Sequence, residues 1–184
     1  IKNKKAENIC NYFEKLTTTV NDYTIRGKFL STITYAIPNY EILQAIIRFA
    51  ENDSILEVFA GNGLWGALLK SMGFDKIIMT DNHSENWFKP KNIFCEIEKL
   101  DCLEAVNKYN SGNFNIIMIL WPTNDDKAYK TLKEFKGNKL IYCGEGEYGF
   151  NADIDFFNEL DREWTLREQF MNPKFIDTND AVYF

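Results

Sequence analysis

The stretch L-E-V-F-A-G-N-G-L-W-G, residues 56–66, decides the fold of this chain. The apolar run over 54–59 predicts a short buried strand, and the apolar spacing over 64–72 predicts a helix. Gly61 and Gly63 lie between them and predict a tight turn, because glycine adopts a left-handed backbone without a steric penalty. A helix that begins directly after such a turn directs its unpaired amide groups at the space beyond the strand. We therefore expect a ligand at this turn.

The rest of the chain continues the alternation of strand and helix. Strands are predicted over 54–59, 76–80, 92–97, 115–121, 139–143, 163–170 and 181–184. Helices are predicted over 64–72, 102–109, 125–135 and 154–160. Strands joined by helices form parallel sheets, whereas the last two strands have no helix between them and predict an antiparallel pair. The predicted fold class is α/β: a three-layer sandwich with a mostly parallel seven-stranded sheet and an antiparallel C-terminal edge hairpin.

A helical segment precedes this pattern. The spacing over 6–16 predicts a helix that the threonines at 17–19 end, since β-branched residues in series disfavour helices. Asn39 is predicted to cap a further helix that ends near Glu51. Residues 1–34 are therefore predicted to form an N-terminal helical extension, and residues 35–184 a single α/β domain.

Composition limits the class of protein. The 184 residues are 45% apolar and 15% aromatic, which is enough for the core of one domain. No apolar run approaches the roughly 20 residues that span a membrane, and no signal-peptide pattern begins the sequence, so we expect no membrane partner. The four cysteines are scattered without a C-x-x-C pair, which argues against a zinc site and predicts reduced thiols in a cytoplasmic protein. The net charge of −6 makes a nucleic-acid partner less favoured.

Two acidic residues narrow the choice of ligand at the turn. Asp81 follows the next predicted strand, where a carboxylate accepts hydrogen bonds from both hydroxyls of a ribose. Gly61, Gly63 and Gly66 match the G-x-G-x-x-G fingerprint of dinucleotide-binding proteins, but the chain is short for a nicotinamide domain with a substrate domain. S-adenosylmethionine is the competing ligand, because Glu57 offers a carboxylate to its cationic amino group. Taken together, Glu57, Gly61, Gly63 and Asp81 favour S-adenosylmethionine.

The turn resembles motif I of the class I S-adenosylmethionine-dependent methyltransferases, E-x-G-x-G-x-G, with Phe59 at the first glycine position. Its F-A-G-x-G form is also similar to the turn of several nucleic-acid-base methyltransferases. Further segments resemble a little-characterised family of methyltransferase-like proteins: A-I-P-N at 36–39, L-W-P-T at 120–123, G-E-G-E-Y-G at 144–149 and D-x-x-F-F-x-x-L with E-W at 153–164. The resemblance covers about 35–184. It implies a Rossmann-like fold and S-adenosylmethionine as cofactor, and it implies no particular substrate.

The same resemblance suggests residues for the rest of the cofactor site. In class I methyltransferases an acidic residue near the position of Asp101 binds the adenine amino group, and Cys102 would supply a neighbouring amide. Judged from the residues alone, Asp101 is equally suited to capping the helix that follows it. Tyr35 is a candidate to flank the cofactor. His83, the only histidine, is interpreted as a cofactor-side or surface residue rather than a base.

Two residues are candidates for catalysis at the acceptor end. Trp121 ends the strand where the reacting atom is expected, at a position where base-amino methyltransferases carry Asn or Asp. An indole N–H only donates a hydrogen bond, so Trp121 cannot replace that carboxamide and is interpreted as an aromatic wall or a core residue. Glu145 follows the next strand between glycines, where a carboxylate positions a polar or cationic acceptor or acts as a base.

The function predicted from the sequence is methyl transfer from S-adenosylmethionine to a small-molecule or protein acceptor. One alternative is a catalytically inactive methyltransferase-like module that binds the cofactor or serves as a subunit. A second alternative is an RNA or DNA base methyltransferase, which predicts a basic patch beside the cleft around Lys89-Pro90-Lys91. No metal site and no oligomeric state are predicted.

Overall fold

A computed structural model describes residues 2–20, 22–84, 92–110, 114–175 and 179–184. The helices are α1 Lys2–Thr19, α2 Tyr23–Thr32, α3 Tyr40–Ala50, α4 Leu64–Ser71, α5 Cys102–Tyr109, α6 Lys127–Glu134 and α7 Ile154–Glu163. The strands are β1 Ser54–Val58, β2 Ile77–Thr80, β3 Phe114–Leu120, β4 Lys139–Gly144, β5 Gln169–Met171 and β6 Ala181–Tyr183. No helix in these ranges is long and apolar enough to cross a membrane.

The strands form one sheet in the order β2-β1-β3-β4-β6-β5. The first four are parallel, so the carboxyl ends of β1, β2 and β3 meet at one edge. In contrast, β6 runs antiparallel to β4 and β5 antiparallel to β6. The predicted α/β class, the mostly parallel sheet and the antiparallel C-terminal edge are thereby confirmed.

The predicted number of seven strands is wrong, because the described residues form six. The segment 92–97 is not a strand. Its residues turn toward the glycine turn instead: Phe94 N donates to Asn62 O at 2.9 Å, and Cys95 Sγ donates to Gly63 O at 3.1 Å. Only Glu98 pairs with the sheet, through an isolated parallel bridge to Thr80.

Helices cover both faces of the sheet, and a hydrophobic core fills each interface. On one face α1, α3 and α4 pack with residues such as Phe13, Ile46 and Ile116. On the other face α5, α6 and α7 pack with residues such as Ile117 and Phe156. Neighbouring residues of β3 therefore point into different cores, which explains why this strand is apolar throughout.

Most predicted helix limits hold, and α1 is the instructive exception. It continues through the threonines at 17–19, whose hydroxyls donate to backbone carbonyls of the preceding turn, Thr17 to Glu14 O at 3.0 Å and Thr19 to Lys15 O at 2.8 Å. Asn39 caps α3 as predicted, accepting a hydrogen bond from Ile42 N at 2.7 Å. Residues of α1 pack into the same core as residues of α3 and α4. The boundary between an N-terminal extension over 1–34 and an α/β domain over 35–184 stays a prediction.

Candidate functional site

The glycine turn joins the carboxyl end of β1 to the start of α4. Gly61 and Gly63 have φ angles of 59° and 73°, the left-handed conformation predicted for them. Phe59 has the same conformation, with φ at 57°. Phe59 stands where motif I has its first glycine, and its backbone is left-handed as a glycine's could be without strain. For phenylalanine this conformation has a steric cost of about 1–2 kcal/mol.

Both backbone polar groups of Gly61 are held by the residues that follow β2. Gly61 N donates to Asp81 Oδ2 at 2.8 Å. Gly61 O lies 2.7 Å from Nε2 of His83, and since a carbonyl only accepts, that nitrogen carries the proton. Asp81 Oδ1 accepts from His83 N at 2.7 Å. The turn and the end of β2 therefore form one hydrogen-bonded unit, with Asp81 at its centre.

Gly63 in the turn and Gly66 in α4 are also sites of close packing. A Cβ on Gly63 would lie 2.6 Å from Cys95 Sγ, and a Cβ on Gly66 would lie 2.5 Å from Met79 Sδ. Gly66 is thereby the point at which α4 touches β2. Gly63 faces Cys95 and does not line the cleft beyond the strands.

Glu57 lies beneath the turn and is fully buried. Neither of its carboxylate oxygens has a well-formed hydrogen bond to a described group, although the Gly66 backbone N–H is near enough to lower its pKa slightly. Burial, and secondly the nearby charge of Asp81, raise the pKa of Glu57 to about 8. Its Oε2 points toward the first turn of α4, 3.0 Å from where a Gly66 Cβ would stand. The structure thus places Glu57 below the cleft and does not bring it to the lining.

Asp101 caps α5, which is one of the two roles that the sequence allowed. Its Oδ1 accepts from Leu103 N at 3.1 Å and its own N–H donates to Glu104, forming a capping box at the start of α5. Its Oδ2 accepts from Asn82 at 3.0 Å, which ties α5 to the end of β2. Asp101 and Cys102 both line the cleft, and burial raises the pKa of the Cys102 thiol to about 11, so this thiol is neutral at physiological pH.

Trp121 and Tyr35 form the aromatic wall of the cleft. Their ring centroids are 5.6 Å apart with 32° between the ring planes. Trp121 has a left-handed φ of 45°, and its backbone N–H donates to Cys143 O at 2.7 Å, which fixes the chain at the carboxyl end of β3. Trp65 also lines the cleft but is buried, and it donates through Nε1 to Ala36 O at 2.9 Å.

Glu145 lies away from the cleft. It is buried, and its carboxylate accepts from Phe150 N at 2.9 Å and from Asn179 N at 3.4 Å. Asp180 is close by, and burial together with the charge of Glu145 raises the pKa of Asp180 to about 7. These contacts give Glu145 a part in holding loops beyond β4, and the structure does not bring it together with Trp121.

The cleft lies beyond the carboxyl ends of β1, β2 and β3. Of the predicted site residues it brings together Tyr35, Gly61, Asp81, Asp101, Cys102 and Trp121. It also contains Asn82, Thr123 and Lys127, which the sequence analysis missed. Each lies just after a strand end or begins a helix, and that position was the available signal. The Lys89-Pro90-Lys91 patch lies outside the described residues.

The cleft is narrow in this structure. It encloses about 90 Å³, whereas small-molecule sites typically enclose about 300–1,000 Å³.

No family model and no curated protein sequence matches this chain. Among solved structures, it resembles the tRNA (uracil-54, C5)-methyltransferase of Pyrococcus abyssi in complex with S-adenosyl-L-homocysteine, with 16% identity and a TM-score of 0.47. That alignment covers 78% of this chain, which spans 37% of the methyltransferase chain. A second structure is a mutant of MtNAS in complex with S-adenosylmethionine, with 8% identity and a TM-score of 0.52 over 99% of this chain and 73% of the other. The second likeness establishes the Rossmann-like α/β fold.

Proposed function

We propose that this chain binds S-adenosylmethionine in the cleft beyond β1, β2 and β3 and transfers its methyl group to a small-molecule or protein acceptor. The observation that carries this proposal is the convergence of Gly61, Asp81 and Asp101 on one cleft. They come from three separate segments, and each matches a position that the methyltransferase resemblance assigns to the cofactor.

In this proposal the ribose lies against Asp81. The carboxylate already accepts one hydrogen bond on each oxygen, from Gly61 N and His83 N. A carboxylate has about four acceptor positions, so each oxygen keeps capacity for a hydroxyl. The turn therefore orients Asp81 before any ligand arrives, which lowers the entropic cost of binding.

The adenine lies at the start of α5 in the same proposal. Asp101 and Cys102 line the cleft there, and the Asn82 side chain holds Asp101 in place. Tyr35 flanks the methionine end. Glu57 acts from outside the cleft, through a carboxyl group that lies near Gly66 and has no well-formed hydrogen bond. A cationic amino group bound at the turn would favour the ionised form of Glu57, and the negative charge of Glu57 would in turn stabilise that amino group.

The cofactor, when bound, supplies a methyl group that is already activated for transfer. The protein's task is then to hold the acceptor in line with that group, and orientation supplies much of the rate. Trp121 is the residue at the carboxyl end of β3 that we assign to this task. Fold similarity to MtNAS, solved with S-adenosylmethionine, supports the same class of cofactor.

Isothermal titration calorimetry with S-adenosylmethionine and S-adenosylhomocysteine tests the cofactor. We expect binding in the micromolar range to the purified protein. No heat of binding at millimolar ligand, with circular dichroism showing a folded sample, would refute the proposal.

A second candidate is a module that binds the cofactor without turnover. The burial of Glu145 away from the cleft favours it, because the described lining then contains no carboxylate base beside Trp121. Mass spectrometry of S-adenosylhomocysteine formed with a broad panel of acceptors separates the two. Product that depends on both protein and acceptor excludes the binding module.

A further inference from the structure

Two aromatic side chains line the end of the cleft at which the proposed acceptor binds. Trp121 follows β3, which is separated from β2 and Asp81 by β1, so the aromatic wall of Trp121 and Tyr35 lies at the opposite end of the cleft from the ribose position. Both rings are half-buried and line the cleft. A flat ring stacks against such a wall with an added stabilisation of about 0.5–1.5 kcal/mol, which a saturated ring does not gain.

Lys127 brings a positive charge to this end of the cleft. Lys127 begins α6, directly after the loop that contains Trp121 and Thr123, and it lines the same cleft. Its Nζ forms an ion pair with Asp125 Oδ2 at 3.9 Å, which is longer than a hydrogen bond. Asp125 is already engaged, accepting from the Thr123 hydroxyl and from Lys127 N, both at 3.0 Å. Among the described residues that line the cleft, Lys127 is the only lysine or arginine, and its long ion pair with Asp125 leaves the ammonium group able to contact an incoming anion.

Asp125, the ion-pair partner of Lys127, is not among the described residues that line the cleft. The acidic residues of the lining are Asp81 and Asp101, which hold the turn and cap α5. Glu145 is buried elsewhere and hydrogen-bonded to backbone amides. Beside Trp121, the described lining residues therefore include no carboxylate that would bind a cationic acceptor or deprotonate a neutral one.

We infer that the acceptor is a planar aromatic weak acid, bound as its anion, with its ring against Trp121 and Tyr35 and its charge toward Lys127. This inference rests on the proposed function. The ionised oxygen or sulfur of such an acceptor donates an electron pair to the methyl carbon. The bond from that carbon to the sulfonium sulfur breaks, and its electron pair stays on the sulfur. No proton has to leave, so the absence of a carboxylate base at Trp121 among the described lining residues is accounted for.

Four probes of similar size separate ring planarity from charge: benzoate, benzamide, cyclohexanecarboxylate and benzylammonium. Their affinities are measured by NMR titration of the protein loaded with S-adenosylhomocysteine. We expect benzoate to bind best, about three- to tenfold tighter than benzamide or cyclohexanecarboxylate, and benzylammonium to bind weakest.

Variants assign these preferences to residues. Lys127→Met should remove the advantage of benzoate over benzamide, and Trp121→Leu should remove its advantage over cyclohexanecarboxylate. Lys130→Met is the matched control, because Lys130 is on the same helix, pairs with Asp126 at 2.6 Å and does not line the cleft. It should leave all four affinities unchanged.

The outcomes distinguish this inference from the function it rests on. If S-adenosylhomocysteine binds but benzylammonium equals or exceeds benzoate, or Lys127→Met has no more effect than Lys130→Met, the acceptor class is wrong and the cofactor site stands. The acceptor class is also wrong if none of the probes binds the loaded protein. If S-adenosylhomocysteine itself fails to bind, both the proposed function and this inference are overturned.

Discussion

Asp81 accepts a hydrogen bond from the backbone N–H of Gly61 at 2.8 Å, across 20 residues of chain. This bond joins the carboxyl ends of two neighbouring parallel strands, β1 and β2. It also fixes the direction of a turn whose glycines would otherwise be conformationally free. The geometry of the cleft therefore depends on a carboxylate that the proposed function also uses for ligand binding.

Asp81→Asn should weaken binding of S-adenosylhomocysteine by about 10- to 100-fold, because a hydrogen bond to a charged group contributes about 1.5–3 kcal/mol. Calorimetry measures the affinity, and thermal unfolding shows whether the variant is folded. Asp75→Asn is the control, since Asp75 is exposed and outside the cleft. Equal affinity of Asp81→Asn and wild type would remove Asp81 from the site.

Gly66→Ala should destabilise the protein by about 1–3 kcal/mol, the usual cost of overpacking a core. The added Cβ would lie 2.5 Å from Met79 Sδ, so either the Met79 side chain or α4 has to shift. Gly27→Ala is the matched control, because Gly27 lies within α2 and its Cβ would meet nothing within 4 Å. That change should stabilise the protein by about 0.5–1 kcal/mol. Urea unfolding measures both, and a Gly66→Ala variant as stable as wild type would contradict the close packing.

Phe59 allows the steric cost of its backbone to be measured. Both Phe59→Ala and Phe59→Gly remove the ring, but only glycine relaxes at a φ of 57°. We therefore expect Phe59→Gly to be more stable than Phe59→Ala by about 1 kcal/mol in urea unfolding. In an ordinary β conformation Phe59→Ala would be more stable than Phe59→Gly. That result would exclude a left-handed backbone at residue 59.

Glu57 should make stability depend on pH. Its pKa is raised from 4.5 to about 8 in the folded protein, chiefly by burial. Between these values the folded carboxyl stays neutral while the unfolded one ionises, so the contribution of Glu57 is fully present below pH 4.5 and is lost as pH rises toward 8. The slope is at most about 1.4 kcal/mol per pH unit.

Glu57→Gln has no titrating group at this position and serves as the reference. The unfolding free energy of wild type minus that of Glu57→Gln should fall between about pH 5.5 and about pH 7.5 and level off above pH 8. Asp180 titrates in both proteins and cancels in the difference. A difference that stays constant over this range would show that Glu57 is ionised in the folded state.

Much of the fold was predictable because its signals are local. The apolar run of β3, the glycines after β1 and the cap at Asn39 each act through neighbouring residues, and all three were predicted correctly. The segment 92–97 was not, because its strand-like composition competes with contacts to the glycine turn that lie far away in sequence.

The candidate site was predictable to the extent that strand ends meet at one edge. Asp81 and Trp121 follow strands and therefore reach the cleft. Glu57 and Glu145 also stand at or near strand ends, yet both are buried outside it. Which way such a carboxylate points depends on whether a helix or loop packs over it, and a single sequence does not show that packing.

Apart from α2 and the segment 92–97, the sequence by itself determined the order of strands and helices, the glycine turn and the position of Asp81 after β2. Backbone propensity and apolar periodicity act over a few residues. Only the tertiary structure decided that Tyr35 stacks against Trp121, that Lys127 joins them and that Glu145 does not. These relationships follow from how α3, α6 and the loops beyond β4 pack on the sheet. Packing between distant segments is a property of the folded surface, so no local pattern contains it.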